Sequence, residues 1–265
     1  VSRTTRSERM RTTGQPATTA DYPNLAAMDA ALVDCRACPR LVAWREQVAR
    51  EKRAAFRDET YWGRPVTGFG PDDARMLLVG LAPAAHGGNR TGRMFTGDRS
   101  GDVLFAALYT IGAATQPTAT RRDDGLRLIG TRVTSPVHCA PPDNKPTTDE
   151  RDRCRHWLIN ELELLAPTVR SVVVLGAWGW QALMPALTAA GWQVPRPRPT
   201  FGHGVHYSID PARPGRHRLD LFGCYHVSQQ NTFTGRLTPA MLETVLAEAA
   251  TTAGLTLTPP TQEPT

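Results

Sequence analysis

The sequence has no apolar run approaching the roughly 18–20 residues that a membrane span requires. Its opening stretch, Val1 to Ala20, is rich in Thr and Arg and contains no apolar segment, so the h-region of a secretory signal is missing. Together these absences lead to the expectation of a cytoplasmic protein. No internal repeat is visible. Cysteines are few, five in 265 residues, and without an export signal they argue against a disulfide framework. They are expected to act as metal ligands, nucleophiles or buried thiols.

Charge of one sign is only slightly in excess. The net charge is +6, and half of it lies in residues 1–20, where Arg3, Arg6, Arg9 and Arg11 face a single Glu8. An excess that diffuse is weak evidence for a nucleic-acid partner. The basic head is expected to be a solvated, disordered arm. With 40% hydrophobic and 21% charged residues the remainder reads as one soluble globular domain. Its expected extent is residues 21–250, followed by a Thr/Pro-rich tail over 251–265.

Within that domain four short apolar stretches predict buried strands: Arg75–Val79, Leu128–Thr134, Val169–Leu175 and Arg218–Cys224. Helical patterns fall at Gly101–Ile111, Thr147–Leu165, Trp178–Ala190 and Pro239–Ala250. Two more, near Asn24–Val33 and Arg40–Lys52, precede the first strand. Strands alternating with helices predict an α/β fold whose parallel sheet is covered on both faces. In such folds ligands bind beyond the carboxyl ends of the strands. Here three strands run into unusual sequence: Gly80-Leu81-Ala82-Pro83, Ser135-Pro136-Val137-His138 and Tyr225-His226-Val227-Ser228.

Four of the cysteines form a pattern. Cys35-x2-Cys38 lies between the two early helices, while Cys139 and Cys154 follow the second strand with fourteen residues between them. A CxxC pair plus two further thiols suits a tetrahedral thiolate site for zinc or an iron–sulfur cluster. A redox CxxC and simple buried thiols are the alternatives, and spacing does not choose between zinc and iron. Cys224, inside an apolar strand, is expected only to pack.

The segment after the first strand, GLAPAAHGGNRTGRMFTGDRSGD, is neither a GxxxxGK[ST] phosphate loop nor a GxGxxG turn. Its glycines permit close backbone approach and its arginines suit anions. Together with YHVSQQNTFTGRLT at 225–238, it closely resembles motifs A and B of family 5 (type B) uracil-DNA glycosylases. The cysteine arrangement resembles the [4Fe–4S] site of families 4 and 5, and HCAPPDNKPT at 138–147 resembles the segment carrying its third ligand. The likeness spans about residues 30–250.

This resemblance implies a three-layer α/β/α sandwich with a central four-stranded parallel sheet. It also implies removal of uracil and related deaminated bases from duplex DNA by a monomer, with Cys35, Cys38, Cys139 and Cys154 holding a [4Fe–4S] cluster. His226 matches the motif B histidine that stabilises the departing base, Phe95 the aromatic residue that stacks on it, and Asn89 a polar position implicated in handling water. Leu81 and Ala82 stand where other families carry Asp, Asn or Glu, a lack typical of family 5. Ser135 stands near the position where relatives read the base edge with Asn, which implies a permissive pocket. His203 is a further candidate for the pocket wall. Val227 departs from the usual Pro after the histidine. Ser228, Gln229, Gln230 and Asn231 would enter the groove, and Arg90, Arg93, Lys145 and Arg236 would contact phosphates. A non-catalytic binder of damaged or abasic DNA is the rival reading, suggested by the missing motif A acid.

Overall fold

The computed structural model describes residues 22–259; the basic head over 1–20 lies outside them. Five strands form one sheet: β1 (Met76–Val79), β2 (Thr131–Thr134), β3 (Ser171–Leu175), β4 (His206–Ile209) and β5 (Leu219–Cys224), in the order β2-β1-β3-β5-β4. The four strands predicted from their apolar runs are mutually parallel, and β4 joins them antiparallel along β5. The sheet therefore has one strand more than expected. β4 reads His-Tyr-Ser-Ile and buries only its last residue fully, so its hydrophobic signal is too thin to announce a strand.

Helices α1 (Leu25–Leu32) and α2 (Pro39–Glu51) precede β1, and α3 (Gly88–Thr91) and α4 (Arg99–Thr110) connect β1 to β2. Helices α5 (Thr148–Leu165) and α6 (Ala177–Ala189) flank β3, while α7 (Gln229–Phe233) and α8 (Pro239–Thr252) follow β5. Alternation along the buried strands distributes them between two cores. Leu77, Val79, Val172, Val174 and Leu221 face α1, α5 and α6. Met76, Leu78, Val173, Leu175, Phe222 and Cys224 face α4 and α8. Cys224 thus sits in the apolar core. Both faces are covered, which is the α/β/α layering. Among the described residues no helix is long and apolar enough to cross a membrane.

The domain runs past residue 250. α8 continues to Thr252, Leu255 and Leu257 pack on the core, and Arg75 donates to the carbonyl of Gly254 at 3.0 Å. Apolar side chains at 255 and 257 hold that stretch down despite its Thr-rich composition.

Side chains set the starts of α1, α4, α5, α7 and α8. Thr147 caps α5 in a reciprocal capping box with Glu150. Glu150 also receives two bonds from Arg40 on α2, at 2.8 and 2.7 Å, tying α2 to α5.

β2 carries the one fully buried charged side chain of the described strands. Arg132, 2% exposed, pairs with Glu161 on α5 at 2.6 Å, and Thr134 donates to the other oxygen of the same carboxylate. Asp29 on α1 stands 3.5 Å from the same guanidinium. Burial pushes its carboxyl up to about 6, Arg132 opposing that rise and Glu161 adding to it. Removing one partner of such a pair strands a buried charge. Glu161→Ala is therefore expected to lower stability in urea by about 3–5 kcal/mol. The double variant Arg132→Met/Glu161→Met should lose much less, and equal losses would show that packing rather than charge dominates.

Candidate functional site

Because β1, β2 and β5 run parallel, their carboxyl ends open on one side. The segments that leave them enclose a cleft of about 510 Å³. Leu81 and Ala82 come from the end of β1, Ser135 from β2, and His226 with Ser228, Gln229 and Gln230 from β5. Phe95, Asp98 and Arg99 reach it from the segment between β1 and α4, and Asn144 from the segment before α5. A second cleft of the same volume lies beside β2, near Asp29, Phe69 and Arg127. Its two buried cations, Arg93 and Arg132, are already paired with carboxylates, and it holds none of the strand-end residues.

The glycine-rich segment folds so tightly that bare Cα atoms form its contacts. A Cβ on Gly80 would meet the Phe95 ring at 2.7 Å, and one on Gly101 would run into the Phe95 carbonyl. Phe95 itself holds a left-handed φ of 51°, a conformation that costs a non-glycine residue and recurs at functional sites. Its ring stands 6.5 Å from that of His226, across the cleft. Asp98 caps α4 by accepting from the Gly101 N–H at 3.1 Å, and its second oxygen packs on the Cα of Gly87. Burial raises the Asp98 carboxyl, while the N–H groups of Gly101 and Ser100 hold it toward the anion. Among the described residues it is the only carboxylate lining this cleft.

His226 is reached through β5. Gly176, at the end of β3, leaves room for it, since a Cβ there would stand 3.2 Å from the His226 Cβ. Asn231 on α7 donates to the His226 carbonyl at 2.8 Å, fixing the backbone that carries the imidazole. Burial alone pulls the imidazole down to about 4. At neutral pH the ring is therefore uncharged and can donate one hydrogen bond without carrying a positive charge.

Several residues singled out by sequence lie elsewhere. Asn89 is fully buried on α3, its amide donating to the carbonyl of Arg45 at 3.2 Å. It does not reach the cleft, because the short helix turns it toward α2. His203 stacks on Tyr225 at 4.9 Å and accepts the Tyr225 N–H through Nδ1, so it too is absent from the cleft wall. Arg90 is buried and engaged by Glu59, His86 and Gly97. Arg93 is buried in a bidentate pair with Asp124 at 2.8 and 2.7 Å. Neither guanidinium is free for a phosphate. Asn231 serves the His226 carbonyl rather than pointing outward.

Lys145 and Arg236 are exposed as expected, Arg236 lying over the Tyr225 ring at 4.6 Å. Asp98, Asn144 and Arg99 line the cleft as well. The position of Asp98 four residues before Asp102, at the start of a helical pattern, marks it as a cap. Asn144 adopts a left-handed φ of 54° next to Asp143 at 53°, and Asp-Asn between prolines is a turn signal. Ser135 lines the cleft, but its hydroxyl donates to the Val137 carbonyl at 2.9 Å.

The four patterned cysteines line one small apolar cavity away from the cleft. All are free thiols. Cys38 precedes α2, Cys139 follows β2, and Cys154 lies on α5. Burial raises Cys38 and Cys139 to about 11, the neighbouring cysteines adding to the rise. No group of three or more His, Cys, Asp or Glu side chains among the described residues is arranged as a metal-ion site.

Comparison with known proteins adds to this geometry. The family model described as the uracil DNA glycosylase superfamily matches residues 67–250. A type-5 uracil-DNA glycosylase of Mycobacterium tuberculosis is 50% identical over 232 residues, covering 88% of this chain and 83% of the other. One of Thermus thermophilus is 51% identical over 224 residues, 84% of this chain and 96% of the relative. A type-4 uracil-DNA glycosylase of Thermotoga maritima is 34% identical over 113 residues, 42% of this chain and 50% of that protein.

The depressed basicity of His226 has a direct readout. The unfolded chain takes up this proton from about 6.5 downward, whereas the folded chain resists until about 4. Acid destabilisation from His226 therefore accrues as pH falls between those values and is absent above them. NMR titration should leave the His226 ring signals unmoved from pH 8 to 5.5. A midpoint near that of free imidazole would show that the ring is solvated.

Proposed function

The chain belongs to the uracil-DNA glycosylase superfamily, and from that membership we propose that it removes uracil from DNA by hydrolysing the N-glycosidic bond, the opening step of base-excision repair. The observation that carries this reading is one strand-end cleft shared by a neutral imidazole, an aromatic face and a half-buried carboxylate: His226, Phe95 and Asp98.

Cleavage breaks the bond between sugar C1′ and the base nitrogen, and the electron pair leaves with the base. Negative charge grows on the base and positive charge on the sugar. A preorganised neutral donor answers the first, since it needs no reorganisation as charge develops. His226 is that donor, and its carbonyl bond to Asn231 keeps it aimed. Phe95 offers the surface on which an extrahelical base stacks. Asp98 orients a water and takes its proton as the new C1′–O bond forms, the role for which Asn89 is too deeply buried. Its anionic form also offsets the charge on the sugar. A carboxylate in the cleft favours hydrolysis over a binder of damaged or abasic DNA.

The finer reading is a monomer acting on duplex DNA in the cytoplasm. Gln229 and Gln230, exposed on the cleft rim, occupy the gap left by the extruded nucleotide, with Ser228 capping their helix. Exposed Arg99, Lys145 and Arg236 are available to phosphates. The cavity shared by Cys35, Cys38, Cys139 and Cys154 suits a [4Fe–4S] cluster in its donor set of four unbridged thiols, three of them buried. Such a group, when bound, supplies a covalent tie between α2, the end of β2 and α5. Its place away from the cleft makes it structural.

Single-turnover release of uracil tests the roles. His226→Ala should slow it about 10²–10³-fold, the scale for losing one such donor. Asp98→Asn, which preserves the helix cap, should slow cleavage while binding to an abasic duplex stays near wild type. Unchanged cleavage in either variant would remove that residue from the mechanism.

Substrate breadth follows from the walls. Leu81 and Ala82 offer no polar side chain, and the one proton of Ser135 is already donated to Val137. Sites that demand a specific hydrogen bond reject analogues by about 10⁴-fold or more, and this cleft makes few such demands. We therefore expect hypoxanthine or ethenocytosine to be released within about two orders of magnitude of uracil, and Ser135→Asn to narrow the range toward uracil. Strict action on uracil across a panel of single-lesion duplexes would show that other groups, such as Asn144, read the base.

A further inference from the structure

Four arginines of the described residues are buried: Arg45, Arg90, Arg93 and Arg132. Three have carboxylate partners, in Glu59, Asp124 and Glu161. Arg45 has none within ion-pair distance among the described residues; Glu46, its neighbour in the chain, pairs with Arg36. The Arg45 guanidinium is 2% exposed and points instead at the cysteine cavity. Nη1 donates to Cys139 Sγ at 2.8 Å and Nη2 to the Cys35 carbonyl at 3.1 Å, while Nε is buried without a partner.

A buried cation without an anion is strongly disfavoured. Neutral thiols are weak acceptors and do not compensate it. Four thiolates around a metal centre do, because they leave the centre with net negative charge. We propose that Arg45 is the counter-cation of the four-cysteine centre, holding the metal in and biasing its redox potential upward. This rests on the reading that these cysteines bind a metal. Charge and hydrogen bonds at the sulfurs are the protein's levers on such centres, and Arg45 supplies both at Cys139. Its backbone connects the centre to the glycine-rich segment, since its carbonyl accepts the Asn89 amide at 3.2 Å. That bond gives Asn89 a supporting role remote from the cleft.

The test compares the full-length protein with Arg45→Met, which removes the charge, and Arg45→Lys, which keeps charge but loses the fork. Metal content and visible absorption identify the centre. Release of metal to an excess of chelator and, for iron, the midpoint potential by protein-film voltammetry report on Arg45. Arg45→Met should release metal at least tenfold faster, and its iron centre should shift to lower potential; Arg45→Lys should recover most of the potential. Equal release rates and potentials in all three proteins would overturn the proposal. If Arg45→Met does not fold, a potential in Arg45→Lys close to wild type with faster release supports the charge role, and a large downward shift counts against it. A colourless wild type holding one zinc would sink the cluster reading, and chelator release from the zinc forms would still decide Arg45. A wild type binding no metal would end both.

Discussion

The site depends on close packing against bare glycine backbone. Phe95 lies on Gly80, its carbonyl abuts Gly101, and the Asp98 carboxylate rests on Gly87. The requirement at these positions is space, since each lacks the atom that would collide. Without those contacts the chain between β1 and α4 would bulge, and aromatic ring and carboxylate would not share a wall with His226. The left-handed Phe95 backbone is a cost of the same compression, and α4, capped by Asp98 and packed on α8, holds it in place. A rigid sheet end and a compressed loop together give the cleft its shape.

Three of the four buried arginines of the described residues are paired with carboxylates. Arg90, Arg93 and Arg132 each take a carboxylate from a distant part of the chain, so the arginines that look most like anion binders in the sequence are structural ties. Arg93 and Asp124, for example, are 31 residues apart and join the glycine-rich segment to the loop before β2. Arg99, which lines the cleft, and Lys145 and Arg236 are left exposed at the surface. This division agrees with a modest net charge and with recognition that relies on shape and stacking as well as on phosphate contacts.

The parallel sheet was legible because its strands are apolar on both faces, as Met76–Val79 and Ser171–Leu175 illustrate. β4 was not, because it is an edge strand with mixed exposure. Within the site, His226, Phe95, Leu81 and Ala82 could be named from the likeness of two segments to a family, and all four line the cleft. Asn89 and Asp98 lie nine positions apart in one such segment, and residue type alone does not tell which faces the cavity. The four-residue helix α3 decides it by burying Asn89 toward α2. His203 shows the same limit: a histidine near the last strand stacks on Tyr225 because the chain returns at Gly204.

The stretch after α8 has a bearing on how the chain can be cut or extended. Leu255 lies over the Cα of Gly130, Thr258 over Gly112, and Gly254 receives Arg75 from the start of β1. These contacts clamp the amino-terminal ends of β1 and β2, on the side of the sheet opposite the cleft. A shortened version ending at 250 would leave Arg75 and two close-fitting glycine surfaces uncovered, whereas one ending after 259 keeps them sealed. A fusion partner appended beyond 259 would likewise sit at the far end of the strands, clear of the cleft that holds His226.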